Sequence, residues 1–356
     1  MPLVPKLVVP KLDLVRLLSL GFLLLTACAP APSSNAVYVW KSETHWSPID
    51  TALLERDGVK TVYWHVGDWD ELRGRDIGEK LVSSQPLPSQ FPVVPVLYLT
   101  VATLNAWTKV PLTTEVSRQR AQTCVAIFDR FPAWTRSAFE RQIDADWTPA
   151  TRAVYFDFLR ALRKLLATTK CTLSVTIRLN QYRDRLLEGV PPVSRGVLLT
   201  YGAGDPQDPN SRVLDPNLVA QYVRPGSSYP FPLAVALPEY GEVRQFNPFH
   251  RLVALAPEPE GLAASPPELL WPAGLKVWPE QGPGWAQAVK RVSWAGLLWL
   301  EGDQALVDAP TPAQVHQVCQ ILRRAGLPTT KSLVLFDYSQ SEWRSSRHEA
   351  FVSALP

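Results

Sequence analysis

Residues 141–152 read RQIDADWTPATR, which places Asp144 and Asp146 two apart in an otherwise apolar run. A carboxylate is costly to take out of water unless it is paired, so a strand-like segment carrying two needs a cation or a polar face. Alternation supplies the face: Gln142, Asp144 and Asp146 lie on one side, and Ile143, Ala145 and Trp147 on the other. In TLSVTIRLN, residues 172–180, Thr172, Ser174, Thr176, Arg178 and Asn180 alternate with four aliphatic residues. In a barrel covered by helices the polar sets must point inward, so Arg178 falls beside the aspartates and is expected to keep both ionised by lowering their pKa. Glycoside hydrolysis uses one carboxylic acid to protonate the leaving oxygen and a second carboxylate as base or nucleophile. Residues two apart on one strand are separated by roughly 6.5 to 7 Å at Cα, on the same wall. The opposite acid is therefore expected from another strand, Glu239 or Asp337, with Asp146 the central carboxylate and Asp144 orienting it.

Other strand ends carry matching chemistry. Tyr38 and Trp40, Tyr63 and His65, and Tyr201 are expected to face inward, late in their strands. Rings interleaved with acids suit a sugar, whose apolar faces stack and whose hydroxyls hydrogen-bond. Trp40, His65, Arg178, Asn180 and Tyr201 are the expected substrate contacts. His65, with Asp68 close by, reads either as a proton shuttle or as a hydrogen-bonded barrel histidine. Trp40, Trp46, Trp64 and Trp69 could form a stacking platform, although Trp64 faces outward by parity. Asp144, Asp146 and Arg178 also admit a purely structural reading, a satisfied polar cluster closing the barrel.

The elements that must position these residues alternate along the chain. Strand-like runs fall at 36–40, 61–66, 93–100, 141–147, 172–180, 196–202, 232–238 and 332–339. Amphipathic helix patterns lie between several of them: 114–131, 148–167 with Thr148 as N-cap and Pro149 first in the helix, 214–223, and 311–326 ending at Gly326. Eight strands with helical crossovers predict an α/β fold, a single (β/α)8 TIM-type barrel over residues 36–356. Residues 239–310, rich in Pro, Gly and Trp, form a long irregular insertion between the seventh and eighth strands. Within it GLLWLEGDQALVDA reads as a hairpin turning at Glu301-Gly302-Asp303.

The runs QIDADWTPATR, LSVTIRLNQ, GVPPVSRGVLLTYGAGD and YPFPLAVALPEYG resemble an uncharacterised family of bacterial envelope proteins. That family is a domain of unknown function placed among TIM barrels related to glycoside hydrolases. The likeness covers about residues 36 to 340 and implies a barrel of glycosidase-like ancestry. The fourth strand is also similar to the D-x-x-D-x-D-x-E strand of chitinase-type glycosidases. Asp144 and Asp146 match its last two aspartates, while Arg141 stands at the first aspartate and Thr148 at the glutamate that donates the proton.

At the beginning of the chain, Lys6, Lys11 and Arg16 precede the short apolar run LLSLGFLLLTA, the pattern of a secretory signal peptide over residues 1–27. LTAC, residues 25–28, resembles the lipobox of bacterial lipoproteins, which implies lipid on Cys28 and an exported protein anchored in the bacterial cell envelope. Residues 28–35 then read as a short, stiff tether. The whole chain has 36 Lys+Arg against 33 Asp+Glu with no basic run, which excludes the concentrated positive footprint that nucleic acid requires. No cofactor is expected. The histidines and Cys124, Cys171 and Cys319 show no metal-site spacing, and the cysteines read best as small buried hydrophobes. Two function classes remain: an envelope-anchored hydrolase of a poly- or oligosaccharide, and a non-catalytic barrel binding a glycan or an envelope partner. A structural lipoprotein with no ligand is a third class, with less in its favour.

Overall fold

The computed structural model describes residues 35–40, 46–71, 75–79, 90–131, 139–258, 266–270, 284–329, 332–339 and 343–355. The expected leader, Cys28 and all of the tether except Asn35 lie outside them, as do two stretches of the insertion.

Alternation builds the barrel. The strands in chain order begin with β1 (Asn35–Val39), β2 (Val59–Asp70), β3 (Arg75–Glu79), β4 (Val93–Leu99), β5 (Glu140–Ala145), β6 (Thr172–Arg178), β7 (Arg195–Leu199) and β8 (Leu233–Pro238). The insertion supplies β9 (Glu242–Phe246), β10 (Leu252–Pro257), β11 (Leu269–Leu270), β12 (Gly284–Ala288), β13 (Val292–Trp294), β14 (Leu297–Trp299) and β15 (Gln304–Asp308), and β16 (Leu333–Phe336) follows. The order β1-β16-β8-β7-β6-β5-β4-β2 is closed by pairing of β1 with β2, and each of these pairings is parallel. The result is a closed eight-stranded barrel with helices between strands, and its strands coincide with the eight expected from sequence.

Two apolar layers follow from the period of two. Ile143, Ala145, Trp147, Leu173, Val175 and Ile177 point outward into the core beneath the helices. The Arg152–Ala167 helix meets them with Tyr155, Phe158, Leu159, Leu162 and Leu166, the spacing of one helical face. A smaller cluster, including Tyr38, Tyr63, Val96, Val197 and Tyr201, fills the barrel interior. This helix begins at Arg152 rather than at Pro149, because residues 148–151 make a separate turn in which the Thr148 carbonyl accepts from the amides of Thr151 and Arg152.

Residues Ser34–Pro356 form one compact unit that includes the insertion. The insertion is more regular than expected: a five-stranded antiparallel sheet, β10-β9-β15-β12-β11, with Val243, Ala286, Trp294, Trp299 and Val307 in a core of its own. Its hairpin is also elsewhere. β14 pairs with β13, turning through Ala295 (φ 54°) and Gly296 (φ 71°), whereas Glu301-Gly302-Asp303 carries the chain from that hairpin into the larger sheet. Positive φ at both central residues is what a two-residue hairpin turn needs, and Ala-Gly lacks the Asn or Asp that advertises it.

Candidate functional site

Along β5 the inward residues meet partners on the next strands, level by level. At the floor, Glu140 is buried, paired with Arg195 at 2.9 Å. Above it Gln142 accepts from the Tyr38 hydroxyl at 2.6 Å and donates to Ser174 at 3.3 Å. Asp144 accepts from the Thr176 hydroxyl at 2.5 Å. At the rim Asp146, just past the strand, takes both Nε (2.5 Å) and Nη2 (3.2 Å) of Arg178. Three of these levels join residues 32 apart, the parallel register of β5 and β6 continued upward. The strand tolerates two aspartates because each has its own partner.

Their environments differ. Asp144 is 5 % exposed, and burial, reinforced by Asp146, raises its pKa although Arg178 and Thr176 pull it down. Arg178 thus acts on Asp144 in the expected direction, but burial outweighs it, so the expected net lowering is not met at Asp144. Burial likewise opposes charge on Arg178, but Asp144 and Asp146 outweigh it and hold the guanidinium more firmly protonated than usual. Tyr98, in register between Asp68 and Asp144, is pushed up to about 12 by burial and then by Asp146 and Asp144.

Trp40, Asp144, Arg178 and Tyr201 line a cavity of about 330 Å³ at the barrel mouth, together with Asp68 and Tyr98. Asp146, Asn180 and Thr148 line an adjoining cavity of about 390 Å³, which shares Arg178 and Tyr201 with the first. Asp337 lines a third, of about 450 Å³, which shares Trp40, Tyr240 and Phe336 with the first. Asn180 reaches the rim from a short helix, Leu179–Arg183, since β6 ends at Arg178 instead of running on to residue 180. His65 is buried beneath Trp40, with rings stacked at 4.0 Å and 5°, and its Nε2 lies 2.8 Å from Asp68. It therefore holds Trp40 and Asp68 in place from below.

Glu239 lies apart from this group. It is 1 % exposed and is bonded to His348 Nδ1, while His348 Nε2 meets Asp57 at 2.7 Å. Of the two expected opposite acids, Glu239 is thus engaged with the Ser346–Ser353 helix, and Asp337 lines the third cavity rather than those of Asp144 and Asp146. The tryptophans also divide: Trp40 is at the mouth, whereas Trp46, Trp64 and Trp69 belong to the outer core.

Sequence reasoning missed Asp68, Tyr98 and Tyr240 as cavity residues. The signal for Asp68 was scrambled by a register shift in β2 between His65 and Gly67, which turns Trp69 outward and Asp68 towards the mouth. Tyr98 was legible, because it sits two residues beyond the inward-facing Val96 on β4. Cys124, Cys171 and Cys319 are free thiols, and among the described residues no group of His, Cys, Asp or Glu is arranged to hold a metal ion.

No protein-family model and no curated protein matches the chain in sequence. In structure it is similar to a glycoside hydrolase family 18 N-acetylglucosaminidase from Paenibacillus barengoltzii, with 13% identity, a TM-score of 0.53, and 91% of this chain and 98% of that one covered. It is similar also to the spore cortex-lytic enzyme of Bacillus megaterium, at 10% identity and a TM-score of 0.53, over 92% of this chain and 75% of that one. A class V chitinase from Pseudomonas fluorescens gives 13% identity and a TM-score of 0.50, over 91% and 98%. At such identities the shared property is the fold, a TIM barrel of the kind found in glycoside hydrolases.

Proposed function

We propose that the barrel mouth binds a poly- or oligosaccharide, on a protein exported to the bacterial envelope and held at a membrane by lipid on Cys28. One observation carries the saccharide reading: Trp40, braced on His65, and Tyr201 share a single cavity with Asp68, Asp144 and Arg178. Aromatic faces beside hydrogen-bonding acids are what a sugar ring needs. The neighbours named for N-acetylglucosaminidase and spore-cortex-lytic activity make chitin- and peptidoglycan-type saccharides the first ligands to try.

Binding without hydrolysis fits the mouth better than chitinase-type catalysis. By the motif resemblance Thr148 stands where the chitinase-type strand has its proton donor, and Asp146 is held at both oxygens by Arg178. One observation favours a hydrolase as the second reading: Asp144 faces the cavity with a raised pKa, as a proton donor should. In that reading Asp144 protonates the leaving oxygen and Asp337, which shares Trp40's second cavity, is the base.

Tryptophan fluorescence titration and reducing-sugar release, run on one saccharide panel, separate the two. Quenching by a saccharide without release is the expected result. Release by the wild type that disappears in Asp144→Asn would replace the binding reading with the hydrolase. Silence in both assays would overturn the saccharide assignment.

A further inference from the structure

The single helical turn Arg185–Glu188, in the loop that follows β6, is inside out. Leu186 and Leu187 are 98 % and 62 % exposed, whereas Glu188 is only 8 % exposed. Burial of apolar surface alone would choose the reverse, and a breach of local pattern of this kind marks a place kept for function. The turn is held firmly in that arrangement. Trp147 Nε1 donates to the Glu188 carbonyl at 3.1 Å, and Arg152 Nη1 donates to the Leu187 carbonyl at 2.7 Å. Gly189 follows at φ 81°, where a Cβ would come within 2.6 Å of the Arg152 side chain and 2.8 Å of the Phe156 ring.

The buried carboxylate is poorly served. Its Oε1 accepts from Asn180 Nδ2 at 3.3 Å, and among the described residues nothing bonds to Oε2. Burial raises the pKa of Glu188; Asn180 works against that rise, Asp184 adds to it and Arg152 opposes it. A carboxyl group in such a place costs stability, so its use lies in what it holds. What it holds is Asn180, an exposed residue that lines the second cavity with Thr148, Arg178 and Tyr201. An ionised carboxylate only accepts hydrogen bonds, so Asn180 turns its amide N–H groups to Glu188 and leaves Oδ1 for the cavity. Without Glu188 the exposed amide would present either end.

We propose that Glu188 is a positioning residue for the second cavity: it fixes Asn180 with Oδ1 as an acceptor, so that the cavity selects a sugar unit presenting a hydroxyl or amide N–H at that point. The proposal rests on the saccharide reading and extends the ligand from the cavity of Asp144 into that of Asp146, across Arg178 and Tyr201, which line both. Glu188 lines neither cavity and acts through Asn180.

The test is a double-mutant cycle on the full-length protein, read by isothermal titration with the β-1,4-linked N-acetylglucosamine tetrasaccharide and by urea unfolding. Asn180→Ala should weaken binding about tenfold, and Glu188→Met, which removes the acceptor at similar side-chain length, nearly as much. The double variant should bind no more weakly than Asn180→Ala, because one residue acts through the other. Glu188→Gln keeps an acceptor for Asn180 and should bind as the wild type does. Neither substitution at position 188 should lower stability, since each removes a poorly served buried carboxylate. Additive losses in the double variant, wild-type affinity in Glu188→Met, or equal losses in Glu188→Gln and Glu188→Met would overturn the positioning role and leave the saccharide reading intact. No binding by the wild type would remove both.

Discussion

Two carboxylate clusters sit at the ends of barrel strands and have opposite fates. Asp144, Asp146 and Arg178 rise along the inner wall, from 5 % exposure at Asp144 to a side chain 34 % exposed at Asp146, and open into cavities. Glu239, His348 and Asp57 form a closed chain in the outer layer, with side chains between 0 and 4 % exposed. Both are acids held by a cation, yet only the first opens into the cavities of the barrel mouth. A late acid on a barrel strand is therefore no sign of a site until the direction of its side chain is known. What separates the two is the partner: a guanidinium from the neighbouring strand in one case, an imidazole from a distant helix in the other.

The comparison predicts where mutations cost stability and where they cost binding. The largest effect should come from His348→Ala, which strands two buried carboxylates and should lower unfolding free energy by about 3 to 5 kcal/mol in urea titrations. If the loss were no greater than for a rim substitution, the two clusters would not differ as described.

Alkaline pH should come next. Burial opposes charge on His348, but Asp57 and Glu239 outweigh it and raise its pKa to about 9. A raised pKa stabilises the fold fully below the unfolded value near 6.5 and loses that contribution as pH climbs through about 9, a span worth about 3 kcal/mol. Asp57 runs the other way: burial works against its charge, yet His348 and Arg56 hold its pKa below the ordinary value, so its contribution fades as pH falls. Chemical unfolding at a series of pH values should show the alkaline loss in the wild type and a flatter profile in His348→Gln.

Trp40→Ala should leave the core intact, because the ring is only half-buried, and weaken saccharide binding about tenfold in the fluorescence titration. The smallest stability effect belongs to Asp146→Asn, less than about 1 kcal/mol by thermal melting, since that pair is partly in water. A loss as large as that of His348→Ala would show that the rim pair is structural after all.

Most of the barrel was legible because its strands obey a period of two, and Asp144, Asp146 and Arg178 were placed together by that rule alone. Glu239 was misplaced because parity breaks down one residue past the end of a strand, where the backbone is free to turn. Nothing local in the sequence tells Glu239 that His348, 109 residues later, will claim it. Asp68 was hidden by the irregularity in β2. The insertion sheet was obscured by its short strands, and Arg244, buried on β9, carries no apolar signal although it joins the sheet to the 208–211 loop.

Pairing of Ala36 with Val334 closes the barrel at a seam between the first and last of its strands. As the chain emerges amino end first, the free edge of β1 must wait for nearly all of it before β16 arrives to cover it. Until then the growing sheet has an unsealed margin that any extended segment could join. The wall from β5 to β6 that carries Asp144 and Arg178 is complete long before that moment. A chain halted ahead of Leu333 would carry a finished β5–β6 wall on an unfinished cylinder, with its seam still open.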